Sequence, residues 1–340
     1  MPSVLVTGAA GFIGYHCCAA LRAQGWDVVG LDAMTDYYDV ALKEARLAQL
    51  EGVQGGQFTF VRGHVETRDL LMDLFAQHRF DLVIHLAAQA GVRYSIDNPR
   101  AYLDSNITGT FELLEAARAH PPRHMLLAST SSAYGANTVM PYLETARADH
   151  QMSFYAATKK ATEAMAHSYA HLYGLPVTMF RFFTVYGPWG RPDMAPYKFT
   201  RAILAGETID VYNHGQVSRD FTYIDDLVAA IMGLMAAVPA TPDAAGTPVL
   251  PGDSLSPVAP FRIVNIGNAN PVPLLDFIAA IEAATEQAAC QNLLPIQPGD
   301  VPDTWADTAL LEHLTGAVPA TPIGAGMVRF VDWYRQYYRV

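Results

Sequence analysis

Ser3-Val4-Leu5-Val6-Thr7-Gly8-Ala9-Ala10-Gly11-Phe12-Ile13-Gly14 is the stretch from which the rest of the chain is read. The apolar run Ser3–Thr7 reads as a strand, and Phe12–Ala23 carries a helical pattern. Between them lies a glycine-rich loop. Small residues there let the backbone approach a pyrophosphate, and the helix offers free N–H groups and the positive end of its dipole. Gly14 lets that helix pack close to a sheet. The spacing is G-x-x-G-x-x-G rather than G-x-G-x-x-G, and alone it serves equally as a plain turn. Asp32 changes the balance. It ends the next apolar run, Asp27–Asp32, about 20 residues after Gly11. A carboxylate there accepts both ribose hydroxyls of a dinucleotide and repels a 2′-phosphate, although a turn-forming Asp would look the same. Loop and carboxylate together point to NAD.

Working outward, Phe58–Arg62, Leu82–His85 and His124–Ser129 read as further strands, with helical patterns over Ala41–Gln49, Thr67–His78 and Pro99–Ala119. Strands alternating with helices predict βαβ units. Runs that are apolar throughout are those of a parallel sheet covered on both faces. The fold class expected is α/β, a Rossmann-like doubly wound parallel sheet. Later in the chain, Phe261–Ile266 resumes as a strand, Leu274–Thr285 as a helix and Met327–Tyr338 as an aromatic-rich closing helix. Six prolines between 239 and 260 mark a surface loop.

Composition narrows the function classes. The chain has 340 residues, with 33 acidic against 22 basic side chains and a formal charge of −11, a field that repels polyanions. No nucleic-acid partner is expected. With 51% hydrophobic and 16% charged residues the chain is not disordered. Three cysteines, two of them adjacent at Cys17 and Cys18, make no disulfide framework and suit a reducing compartment. No targeting segment is expected ahead of Val4-Leu5-Val6, and the apolar stretch Val228 to Ala240 is too short to span a bilayer. A cytoplasmic protein without a membrane partner is expected.

Candidate chemistry lies in the middle of the chain. Tyr155 and Lys159 stand four apart in Tyr-Ala-Ala-Thr-Lys, which puts both on one helix face. An ammonium beside a phenol favours phenolate, suiting the pair to acid–base work on an alcohol. By spacing alone they read as a core tyrosine and a surface lysine. Upstream, Ser129-Thr130-Ser131-Ser132 follows the fifth strand, at the sheet edge where doubly wound folds bind ligands, though a serine-rich turn is the plainer reading. His167 and His171, four apart, lack a third ligand, so no metal is expected.

These residues carry a family resemblance. Thr7–Gly14, Leu86–Gln89, Ser129–Gly135 and Tyr155–Lys159 together resemble the extended short-chain dehydrogenase/reductases that act on nucleotide sugars. Tyr37–Val40, Ala90–Tyr94, Arg181–Ala195 and Ser218–Asp226 resemble the UDP-glucuronate 4-epimerases in particular. The resemblance implies Tyr155 as base, Lys159 as its ribose-binding partner, Thr130 on the reacting 4-hydroxyl, and Asn106 as a support for the lysine. It assigns Gly8, Gly11, Phe12, Ile13, Gly14, Asp32, Val65, Leu86, Ala87 and Ala88 to NAD. Arg191 and Arg219 fall near the diphosphate, Asp300 near the uridine ribose, and Val211 and Tyr212 beside the uracil. One departure is His64, which stands in Gly63-His64-Val65-Glu66 where relatives carry an acid that contacts adenine.

The reaction implied is oxidation at C4, rotation of the 4-keto sugar and reduction from its other face, with no net redox change. A 4-keto-uronate is a β-keto acid, and Ser131, Ser132 and Thr184 are expected to hold its carboxylate out of the geometry that loses CO2. The alternatives are a UDP-glucose 4-epimerase, a UDP-glucuronate decarboxylase and a non-catalytic NAD-binding sensor. The 4,6-dehydratases carry Asp-Glu where this chain has Ser131-Ser132. Residues 1–180 would bind NAD, with segments at about 210–230 and 261–270 returning to that domain, and a smaller C-terminal domain, mainly 181–340, would bind a UDP-uronate substrate. The resemblance also implies a homodimer, formed through helices like Pro99–Ala119 and Tyr155–Tyr173.

Overall fold

The computed structural model describes residues 1–241, 252–296 and 303–340. Six strands alternate with helices through the first half: β1 Ser3–Thr7, β2 Asp27–Asp32, β3 Phe58–Arg62, β4 Leu82–His85, β5 His124–Thr130 and β6 Val177–Phe182. The short strands β7 Thr184–Tyr186, β8 Thr208–Val211 and β9 Ser218–Tyr223 follow, then β10 Phe261–Ile266. Seven strands form one sheet in the order β10-β6-β5-β4-β1-β2-β3, parallel throughout. The expected doubly wound class is therefore the observed one.

Successive side chains along a strand face opposite sides, so one apolar run feeds two cores. Val4, Val6, Ile84, Leu126 and Phe180 pack with Cys17, Cys18 and Leu21 of the helix Phe12–Ala23. Leu5, Val29, Val83, Leu127 and Met179 pack with Leu113, Ala166 and Ala170 on the other face. The closing helix Ile323–Tyr338 buries Phe330, Trp333 and Tyr334 in the first of these cores.

Three local expectations shift. The pattern over Pro99–Ala119 resolves into Pro99–Tyr102, a π-helical stretch Leu103–Thr108, and Gly109–Ala119. Apolar periodicity cannot separate an inserted π turn from a continuous helix. The third helix starts at Leu70 rather than Thr67, because Asp69 turns the backbone left-handed at φ 66°. Within 210–230, β9 joins a small separate sheet with β7, β11 (Pro271–Pro273) and β13 (Asp303–Thr304), while β8 pairs with β12 (Cys290–Leu293). The helix Ile224–Leu234 alone packs back on Phe12–Ala23.

The proline-rich loop is described from residue 252 onward. There Arg262 donates both Nε and Nη2 to Asp253, at 2.9 and 3.0 Å. His167 pairs with the Ser256 hydroxyl at 2.9 Å and His171 with the Val258 carbonyl at 2.8 Å, so both histidines fasten this loop. Among the described residues no three His, Cys, Asp or Glu are placed to hold a metal, and no helix is long and apolar enough to cross a membrane.

Cys17 and Cys18 are buried and Cys290 is exposed; all three are free thiols. Burial pushes the Cys17 thiol up to about 12 and that of Cys18 well up too, suppressing the reactive thiolate. A thiol-exchange titration at neutral pH should therefore report Cys290 alone in the native protein and all three after denaturation.

Candidate active site

Strand order reverses between β1 and β4, and doubly wound sheets bind ligands at the carboxyl ends of such a pair. The two exits come unusually close here. Gly8 has φ +73°, and a Cβ on it would lie 2.9 Å from the Ala87 nitrogen. A Cβ on Gly14 would lie 2.0 Å from the Gly8 carbonyl oxygen. Both positions exclude any side chain. The Thr7 hydroxyl stitches the exits together, accepting from Leu86 N at 3.2 Å and Ala87 N at 3.1 Å while pairing with His85 Nδ1 at 2.8 Å. Burial pushes His85 down to about 3, with Lys159 nearby acting in the same direction, so its ring is neutral.

A cavity of about 350 Å³ opens over this seam. Gly8, Gly11, Phe12, Ile13, Gly14, Asp32, Val65, Leu86, Ala87, Ala88, Tyr155 and Lys159 all line it. Gly11 caps the first helix without a side-chain hydrogen bond, leaving first-turn N–H groups for an anionic ligand. The Asp32 carboxylate accepts from Ala10 N at 3.1 Å and Met34 N at 2.8 Å, which fixes it at the far wall. A bare helix N-terminus and a carboxylate on one elongated floor suit a diphosphate and a ribose, so these residues fit NAD. His64 also reaches this cavity and pairs through Nδ1 with Glu66 Oε1 at 3.0 Å. The run thus places its acid at 66 instead of 64.

A second cavity of about 360 Å³ adjoins the first. Thr130, Ser131, Ser132, Thr184, Arg191 and Arg219 line it, and Tyr155, Arg191, Phe12 and Ile13 line both. Ser153 caps the helix Phe154–Tyr173 by accepting from Ala156 N at 3.1 Å, which sets Tyr155 in its first turn. Thr130 ends β5 and accepts from Ser132 N at 3.2 Å, starting the 3₁₀ turn Ser131–Tyr134. That turn gathers the hydroxyls.

The electrostatics differ from the expectation. Burial raises the Tyr155 phenol, and the groups that oppose burial are the Thr130 hydroxyl and Arg191, not Lys159. Lys159 is itself buried and pushed down to about 8, with Glu163 working the other way. Its ammonium donates to the Ala128 carbonyl at 2.9 Å. Asn106 does not bond Lys159. Its amide donates to Gln89 O at 3.1 Å and Thr158 Oγ1 at 3.0 Å, and its carbonyl accepts from Gln89 N at 2.8 Å. The π turn directs it to the β4 exit loop.

Arg191 is held in a bidentate pair by Asp193, at 3.0 and 2.5 Å, and Tyr37 donates to the same carboxylate at 3.2 Å. Val211 and Tyr212 line neither cavity; Tyr212 lies under the Arg93 guanidinium, 5.2 Å from its ring centre. Asp300 lies outside the described residues.

Sequence reasoning passes over Arg46. It is fully buried and donates to Ala10 O at 2.9 Å, Tyr38 Oη at 2.7 Å and Trp189 O at 2.6 Å. It thereby ties the glycine-rich loop to the segment that delivers Arg191. A lone arginine on a helix gives no such signal, because its acceptors are distant backbone carbonyls. Tyr102 is missed likewise: its buried ring meets Tyr155 edge-on at 5.9 Å, and its hydroxyl donates to Ala90 O at 3.1 Å.

Two substitutions test this geometry. Gly14→Ala should weaken NAD binding by about tenfold or more, read by fluorescence titration, because the Gly8 carbonyl must move. Arg46→Met should lower unfolding stability by about 3 kcal/mol in denaturant titration, since it strands buried carbonyls of both segments.

Known proteins resemble this chain along most of its length. Residues 4–245 match the NAD dependent epimerase/dehydratase family. A Rhizobium meliloti (strain 1021) protein described as a probable UDP-glucuronate 4-epimerase is 52% identical over 335 residues, 98% of this chain and 97% of that one. UDP-glucuronate 4-epimerase 2 of Arabidopsis thaliana is 46% identical, covering 99% of this chain and 76% of its own length. The crystal structure of UDP-glucuronic acid 4-epimerase from Bacillus cereus, in complex with UDP-glucuronic acid and NAD, superposes with a TM-score of 0.86 at 31% identity, covering 99% of this chain and all of that one. On the family model, which covers more than half of its residues, and on relatives matched along nearly all of its length, this chain belongs to the NAD dependent epimerase/dehydratase family.

Proposed function

We propose that the chain interconverts UDP-glucuronate and UDP-galacturonate by 4-epimerisation with no net redox change. The observation that carries this reading is the position of Tyr155. It stands at the seam of the two cavities, with the Thr130 hydroxyl facing it and Ser131, Ser132 and Thr184 on the sugar side. NAD, when bound, supplies the acceptor that takes the C4 hydrogen with its electron pair and returns it, and its positive nicotinamide ring favours the Tyr155 phenolate.

The remaining work falls to side chains. Tyr155 takes the proton of the 4-hydroxyl while Thr130 holds that oxygen, and the same phenol returns the proton after the sugar has turned. Lys159 would hold the nicotinamide ribose, while the charged neighbour of the Tyr155 phenol is Arg191. Arg191 and Arg219 flank the diphosphate, with Arg191 preorganised by Asp193. Ser131, Ser132 and Thr184 bind the uronate carboxylate through neutral hydrogen bonds. Such bonds fix its plane and keep the C–C bond to the carboxylate out of line with the π system of the 4-keto group. No acid stands at Ser131 or Ser132, so water elimination lacks its catalyst.

This reading assigns residues 1–180, Ile224–Leu234 and Phe261–Ile266 to the cofactor domain, and most of 181–340 to the nucleotide sugar. Val211 and Tyr212 remain beside the uracil in it, and Asp300 near the uridine ribose. It includes a homodimer, for which the support is a helix pair leaving Phe111 43%, Phe154 43% and Leu172 63% exposed. Three free thiols support a cytoplasmic setting.

Proton NMR of the protein with NAD and UDP-glucuronate, with UDP-glucose in parallel, tests the reading. UDP-galacturonate from the first tube, without UDP-pentose, is expected. UDP-galactose from the second tube alone, or pentose as the main product of the first, would sink it. Tyr155→Phe should cut kcat by about 10³-fold or more while NAD binding stays near wild type. Ser132→Ala combined with Thr184→Val should raise KM for the uronate and release UDP-pentose in the same spectra.

A further inference from the structure

Three consecutive residues of β5 meet three residues of the helix Phe154–Tyr173 spaced one turn apart. Ala128 O accepts from Lys159 Nζ at 2.9 Å, the Ser129 hydroxyl donates to Glu163 Oε1 at 2.6 Å, and the Thr130 hydroxyl faces Tyr155. Two of these contacts belong to the chemistry already described. The third is Glu163, buried to 2% side-chain exposure.

Glu163 does not stand alone. Arg181, in register with Ser129 on the neighbouring strand β6, donates Nε to Oε1 at 2.8 Å and Nη2 to Oε2 at 2.7 Å. Lys160 donates to the same carboxylate at 3.1 Å. The Arg181 guanidinium lies 4.4 Å from the ring centre of Tyr134, the last residue of the hydroxyl turn. Tyr134 in turn donates to Asn265 of β10 at 2.7 Å and stacks at 4.2 Å on Tyr142, which lines the sugar cavity.

We propose that Glu163 and Arg181 are positioning residues of the reaction, whose buried ion pair holds the helix carrying Tyr155 and Lys159 in register with Thr130 and the turn Ser131–Tyr134. The proposal rests on the 4-epimerase reading for its kinetic consequences only. A buried ion pair is a poor source of stability, since desolvation offsets its Coulomb energy and apolar pairs of similar size do as well. Here it does something an apolar pair cannot. It places a carboxylate one helical turn from Lys159, where it helps keep that ammonium charged against its burial. The other groups around Lys159 do not supply this. His85 of β4 is neutral, Ala128 offers a carbonyl, and Tyr155 on its own helix is a phenol whose charged neighbour is Arg191. Removing the carboxylate therefore lets Lys159 lose its proton at lower pH.

The test uses the full-length protein carrying Glu163→Gln with Arg181→Met, so that neither charge is left buried alone. Its denaturation midpoint should stay near wild type. On UDP-glucuronate, kcat should fall about tenfold or more with KM within about threefold. The alkaline limb of NAD affinity, read by fluorescence from pH 6 to 10, should move about one pH unit lower. A folded double variant with wild-type kcat and an unmoved limb overturns the proposal. If the double variant fails to fold, Ser129→Ala decides, because it keeps both charges and loses one bond. It should lower kcat about threefold or more with the limb in place, and an unchanged kcat overturns the proposal. Should the wild-type protein turn over no UDP-sugar, a shifted limb still supports the positioning role, while the epimerase reading falls.

Discussion

The structure depends on a place where the chain has room for backbone and nothing else. At the exit of β1, Gly8 lies against Ala87 from β4, and Gly14 lies against the Gly8 carbonyl. Close packing there lets the first helix start directly behind the loop, so its unsatisfied N–H groups point into the cavity. A methyl group at either glycine would push the helix from the sheet and narrow the floor of the cavity. The Thr7 hydroxyl locks this arrangement with two backbone bonds to the β4 exit.

Around that floor the protein uses buried cations as fasteners. Arg46 ties the glycine-rich loop to the segment leading to Arg191 through the carbonyls of Ala10 and Trp189. Arg181 pairs with Glu163 of the helix Phe154–Tyr173, and Arg191 pairs with Asp193 beside the cavities. A buried guanidinium without acceptors is costly, so each one constrains several segments at once. That is how loops from distant parts of the chain converge on Tyr155 with defined spacing.

The same burial sets the acid–base balance. It raises the Tyr155 phenol and lowers the Lys159 ammonium, two shifts that both favour neutral groups. The proposed chemistry needs the opposite pair, a phenolate and a cation. Thr130, Arg191 and Glu163 each work against burial. The site is accordingly dry enough to make charge effective and surrounded by groups that restore it.

The sequence by itself determined six of the seven strands of the sheet, Val177–Phe182 being the exception, and much of the lining of both cavities, although Val211 and Tyr212 lie in neither. Strand runs apolar on both faces, glycines at a strand–helix junction and a carboxylate ending β2 are local signals, each legible within a few residues. The Tyr155–Lys159 pair and the hydroxyl turn were legible for the same reason. Tertiary structure alone decided the rest. Asn106 sits in a π turn that periodicity cannot show, and it bonds Gln89 and Thr158 instead of the lysine. Strand β9 left the main sheet because its partners, β7, β11 and β13, come from three separate stretches of chain. Arg46, Tyr102 and Glu163 act on atoms far away in sequence, and Lys159 proved not to be what opposes burial at Tyr155. Spacing along a helix says which side chains share a face, whereas charge and position at a site are set by whatever the fold packs against that face.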